Sequence, residues 1–199
     1  MFKHAVVAAT FALALIAGEA QAVNVVDTGT PNGSQSYAFN EFQYFAGKFS
    51  LSNDTVINTI ESYFSTDVGS IAFSVYSDGG AAPGSLLDSA SLITTRDDHA
   101  TWNGVTNLNW SLVAGSYWVV FQPDFQSAAA EMGGVAPSPL LAYSINHSSG
   151  WEVPVSDLRI GVRIDTENLP APVPEPSSLA MYALGLAGLA TMVRRKKTA

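Results

Sequence analysis

From Val23 onward, short apolar stretches alternate with polar positions and are interrupted by turn chemistry roughly every ten residues, a rhythm that predicts an all-β body. The strictest case is "LRIGVRID": Leu158, Ile160, Val162 and Ile164 share one face, and Arg159, Gly161, Arg163 and Asp165 share the other. "NLNWSL" sets Leu108, Trp110 and Leu112 against Asn107, Asn109 and Ser111, and "SIAFSVYS" turns Ile71, Phe73 and Val75 inward. "SYWVVFQ" is apolar on both faces, which predicts a central strand covered on both sides. Between these last apolar runs, "VAG" with its permissive Gly115 predicts a tight hairpin joining 107–112 to 116–122. "FQYFAGKFSL" keeps its alternation only if the chain slips near Ala46-Gly47, so a β-bulge is expected there. "TVINTIESYFS" and "SLLDSASLITT" add weaker strands. Roughly seven to nine strands suit a two-sheet β-sandwich of jelly-roll type over residues 23–169. Two stretches resist strand assignment: the Gly/Pro cluster at 77–85, and a long loop at 123–139 with a helical turn expected from Ser127 to Met132.

Both ends depart from this rhythm. Residues 1–22 carry Lys3, then the apolar run "AVVAATFALALIAG", then "EAQA" with Ala20 and Ala22 at the small positions. That is the layout of a cleavable secretory signal peptide, and the mature chain is expected to begin at Val23. At the other end, Pro170, Pro172, Pro174 and Pro176 form a stiff extended linker over 170–176. An apolar run follows at 177–193, about 25 Å long as a helix and at the short limit for a single membrane span. The tail 194–199 opens with Arg194, Arg195, Lys196 and Lys197, a stop-transfer cluster that stays cytoplasmic and leaves the body outside.

Charge sharpens the division between body and ends. The whole chain of 199 residues carries a formal −8, yet Val23 to Val173 holds four basic residues against fifteen acidic ones, a net −11. Such a body does not bind nucleic acid or anionic lipid through bulk electrostatics. The absence of cysteine removes disulfides, thiolate metal sites and cysteine nucleophiles, so an exported body must hold together by burial alone.

Pro174-Glu175-Pro176, a short hydrophobic helix and a terminal Arg/Lys cluster, in that order and spacing, resemble the PEP-CTERM sorting signal of Gram-negative bacteria. The resemblance covers about the last 26 residues, and the plain alternative is a single-span anchor with an accidental Pro-Glu-Pro. It implies that an exosortase, a membrane-embedded transpeptidase, recognises the tail and cleaves near the tripeptide. The protein would then pass from an inner-membrane-anchored intermediate to the cell surface or matrix, in company with extracellular polysaccharide and biofilm. "VYSDGGAAPGSLL" and "WSLVAGSYWVVF" resemble, more loosely, text in the non-catalytic sandwich domains that precede such signals.

Candidate chemistry within the body is sparse. Asp97-Asp98-His99 is the one dense polar triple, and Asp78 precedes Gly-Gly in a turn; Asp78 and Asp97 are the candidates for a structural calcium ion, against the plainer reading of solvated turns. No Gly-x-Ser-x-Gly elbow occurs, and His147 beside Ser148 and Ser149 makes no triad, so no enzyme is expected. Trp110 and Trp118 are expected in the core. Trp102 and Trp151, beside Asn103-Gly104 and Gly150, are the candidates for carbohydrate contact in an alternative, lectin-like reading. Asn32, Asn53 and Asn146 each begin an Asn-x-Ser/Thr triplet. The expectation is therefore a non-enzymatic structural or adhesive protein, with a secreted hydrolase the remotest alternative.

Overall fold

A computed structural model describes residues 23–124, 130–152 and 155–166. The expected signal peptide (1–22), linker (170–176), membrane helix (177–193) and basic tail lie outside the described residues. So do Ala20, Ala22, Pro174, Glu175, Pro176 and the cluster Arg194 to Lys197. Among the described residues no helix is long and apolar enough to cross a membrane.

In chain order the strands are β1 (Val23–Asp27), β2 (Ser36–Ala38), β3 (Gln43–Leu51), β4 (Thr55–Thr66), β5 (Gly69–Asp78), β6 (Pro83–Thr94) and β7 (Asp97–Val105). They continue as β8 (Trp110–Leu112), β9 (Gly115–Pro123), β10 (Glu131–Gly133), β11 (Ala142–His147), β12 (Gly150–Glu152) and β13 (Val162–Thr166). The architecture is all-β and two-sheeted. Sheet A follows the order β1-β13-β4-β10-β2, with β7 and β8 also on β4; sheet B follows β12-β11-β3-β9-β5-β6. On one flank of β4, β13 pairs as far as Ser62 and β10 takes over at Phe64, while β7 and β8 share the other flank. Among the described residues thirteen strands are found, more than expected, because four of them are only three residues long.

The core lies between the sheets. Alternation sends Phe45, Phe49, Phe73, Val75, Val119 and Phe121 inward from sheet B to meet Ile57, Ile60, Phe64, Val162 and Ile164 from sheet A, all of them buried. Phe64 of sheet A meets Phe73 of sheet B across the core at 6.2 Å between centroids, and Phe73 meets its ladder neighbour Phe121 within sheet B edge-on at 5.4 Å and 83°. With no disulfide available, this burial is the main source of stability.

Several expectations held and several are corrected. Ile71, Phe73 and Val75 point inward, and "SYWVVFQ" lies within β9 between β3 and β5 with Trp118 and Val120 buried on its second face. No hairpin joins 107–112 to 116–122: β8 pairs with β4 in sheet A, whereas β9 pairs with β3 and β5 in sheet B. The chain crosses between sheets there, tied by Ala114 N–H to Asp54 Oδ1 at 2.9 Å and by the Tyr117 hydroxyl to the Val113 carbonyl at 2.8 Å. The bulge at Ala46-Gly47 is absent, because β3 runs in unbroken register with β9 and β11. Gly47 occupies an inward position without a side chain, and Leu140 fills the space that a Cβ there would need. β13 begins only at Val162, although Leu158 and Ile160 are buried as their alternation predicted. In "NLNWSL" only Trp110–Leu112 is strand, since Asn107 and Asn109 adopt φ of 59° and 54°. Of the helical turn expected at 127–132, residues 127–129 lie outside the described residues, and Glu131 and Met132 belong to a strand.

Candidate functional site

The two tryptophans picked out for ligand contact do not share a site. Trp102 stands opposite Tyr63 in the β4/β7 ladder of sheet A, while Trp151 stands opposite Asn146 in the β11/β12 ladder of sheet B. Each belongs to the solvent-facing side of its own sheet, so the core separates them.

On sheet A, Trp102 is clamped. Its ring meets Tyr63 edge-on at 5.6 Å, the Arg163 guanidinium carbon sits 3.9 Å from its centroid, and its indole N–H donates to Thr30 Oγ1 at 3.2 Å. Arg163 in turn pairs with Asp27 at 3.4 Å. Glycines make room for the Tyr63 ring: a Cβ on Gly133 would lie 2.9 Å from its Cδ1, and one on Gly161 would lie 2.7 Å from its Cβ. Beside Tyr63 opens a depression of about 390 Å³, walled by Gln35, Ser36, Asp98, His99 and Glu131 among others. A phenol ring flanked by carboxylates, an imidazole and an amide is the kind of lining that holds a polyhydroxylated ligand.

On sheet B the outer face covers itself. Ala46, Trp118 and Val120 are buried there beneath Tyr44, Tyr76, Ala142 and Trp151. Trp151 meets Tyr44 edge-on at 5.4 Å and 81°. Lys48 lies 5.8 Å over the Trp118 ring and pairs with Asp78 at 2.8 Å, and the Trp118 N–H donates to Asp78 Oδ1 at 3.3 Å. Asp78 also accepts the Gly80 N–H at 2.8 Å. The Lys48 hydrogen bond, followed by the Gly80 N–H, holds the Asp78 carboxyl below its ordinary value.

The structure therefore engages Asp78 with an ammonium, not with other carboxylates. Asp97 takes the His99 backbone N–H at 2.9 Å, and Asp98 pairs with Arg96 at 3.0 Å. Asp78 and Asp97 lie toward opposite ends of β6, since Asp78 pairs with Pro83 and Asp97 follows Thr94. Among the described residues no three His, Asp or Glu side chains gather as a metal site would require. His147 pairs with Glu152 at 3.2 Å, and the His99 side chain is 92% exposed. Of the Asn-x-Ser/Thr positions, Asn146 is buried between Tyr44 and Trp151 in the ladder. Sequence reasoning missed Tyr63, Gln35 and Glu131, because only the β4, β2 and β10 pairings bring them together; the glycines at 133 and 161 were the available signal.

Residues 172–196 match the PEP-CTERM protein-sorting motif. The match spans Pro174-Glu175-Pro176, the apolar run and Arg194 to Lys196, the features from which the resemblance was drawn. A PEP-CTERM motif near the C-terminus marks this chain as an exported, exosortase-sorted protein. A search among curated proteins finds no match to the chain.

Proposed function

We propose that the chain is a non-enzymatic cell-surface or extracellular-matrix protein, with a structural or adhesive role among extracellular polysaccharide and biofilm. The carrying observation is the PEP-CTERM motif at 172–196 on a chain whose described residues form an all-β, two-sheeted body. A signal peptide at 1–22 starts export, the span at 177–193 holds the chain in the inner membrane, and exosortase removes the tail near Pro174-Glu175-Pro176. No cofactor is needed for this role.

Strand order supports a jelly-roll body. β1, β13, β4 and β7 lie side by side in one sheet, β3, β9, β5 and β6 in the other, and the chain enters the sheets in the order A, B, A, B, B, A, B, A through β1, β3, β4, β5, β6, β7, β9 and β13. A Glu175→Ala chain tests the sorting step. It should stay in the inner-membrane fraction with its tail attached, and normal release of that variant would refute the assignment.

The depression beside Tyr63 favours a second reading, a carbohydrate-binding module. The acidic lining and the acidic body direct it toward neutral or amino sugars. Glycan-array binding of the exported protein should fall with Glu131→Gln and His99→Ala while surviving Trp151→Ala. Loss with Trp151→Ala alone would move the site to sheet B, and binding to no glycan would remove this reading.

A further inference from the structure

We propose that the free edge of β6 is a self-association surface on which a second copy of this chain docks antiparallel, joining the two six-stranded sheets into one. β6 ends sheet B: it pairs with β5 on one side, and among the described residues no strand pairs with its other side. It is twelve residues long, whereas β12, at the opposite edge of the same sheet, has three. Long unpaired edges present a row of backbone donors and acceptors that template pairing, and proteins ordinarily blunt them with lysine, proline or brevity. From Leu87 to Thr94 this edge has no lysine and no proline; its protection is confined to the irregularity at Leu87 and to Asp88, its one charge.

Exposed apolar side chains gather here. Leu86, Leu87 and Ile93 are 54%, 44% and 79% exposed, and Val68, in the turn beside Thr94's partner Gly69, is 73% exposed. An irregularity opposite Val75 and Tyr76 skips Leu87, which allows both leucines to face solvent.

The sequence of β6 fits its own reverse. Antiparallel pairing about Ala90 sets each Leu87 against the partner's Ile93 and each Ser89 against the partner's Ser91, all exposed in the single chain. Asp88 then faces Leu92, so the two carboxylates never oppose one another directly. This is the isologous contact that a two-fold dimer requires. Each body brings a net −11, so repulsion opposes association at low salt and screening favours it. Self-association here is independent of the sorting assignment, because it follows from the exposed edge of the body and not from the tail.

Sedimentation of the exported protein, over a range of concentrations at about 0.01 M and about 0.1 M salt, reads the association directly. Dimers should rise with concentration and with salt. Ile93→Lys should weaken association by about tenfold, the equivalent of ~1.4 kcal/mol, while Val113→Lys, at an exposed apolar position off the edge, should leave it unchanged. Register has its own readout in a chain without cysteine: mixed Ser89→Cys and Ser91→Cys proteins should cross-link on oxidation much faster than either alone. A monomer at every concentration and salt, equal effects of the two lysine variants, or equal cross-linking of the mixture and the single proteins would overturn it.

Discussion

The two solvent-facing sides of the sandwich use aromatic residues in opposite ways. On sheet B, Trp118 is wholly buried though it points away from the core, because Tyr44, Tyr76 and Trp151 close over it. On sheet A, Trp102 is only partly buried, held by a cation and a hydrogen bond, and its neighbour Tyr63 borders a polar depression. Tryptophan on a sheet's outer face is therefore not in itself a binding signal. One face spends its aromatics on a second small core, and the other leaves Tyr63 on the wall of an open depression.

The largest break in this comparison comes from Trp118→Ala, which should cost about 3–5 kcal/mol in denaturant unfolding because it empties a closed site. A cost near that of an exposed residue would show that the outer layer of sheet B is not packed. Next, Gly161→Ala should destabilise by about 1–3 kcal/mol, since its Cβ would lie within 2.9 Å of both Tyr63 and Pro31. An unchanged melting midpoint would mean that the bed under Tyr63 can give way. Arg163→Ala should lose about 0.5–1 kcal/mol through its stacking on Trp102 and shift the indole fluorescence. No spectral change would dissolve the clamp.

Acid and base separate the faces with the smallest effects. Asp78, on sheet B, titrates below its ordinary 3.8 because of Lys48 and Gly80, so its contribution is present above that value and is lost as pH falls through the lowered one. Asp165, on sheet A, is raised above 3.8 chiefly by desolvation, and its Oδ1 is buried without a hydrogen-bond partner. Its folded form holds the proton more tightly. That advantage exists in acid and disappears as pH rises through the raised value, leaving a cost at neutrality. Asp165→Asn should therefore raise the melting midpoint at pH 7 and leave it nearly unchanged near pH 3, whereas Asp78→Asn should lower it at pH 7. Matching pH profiles for the two variants would contradict the contrast.

Sequence pattern carried the individual strands well and their partners poorly. Strict alternation in β5, and apolarity on both faces of β9, translate directly into burial, because period two is a property of the single strand. Pairing is not. "VAG" reads the same whether the chain turns back on itself or crosses to the other sheet, and here Asp54, remote in sequence, ties the crossing. Gly47 mimicked a bulge because the side chain filling its place, Leu140, comes from far along the chain. Trp102 and Trp151 looked equivalent beside their glycines, and only the ladders assign them to opposite faces. The tail needed no tertiary information, since a sorting signal is read as linear sequence.

Intact mass of the protein recovered from the extracellular fraction decides whether exosortase processes this chain. Sorting by exosortase predicts a species that begins at Val23 and lacks the segment 177–199, with its new C-terminus near Pro174-Glu175-Pro176. Recovery from that fraction of a chain ending at Ala199 would contradict it.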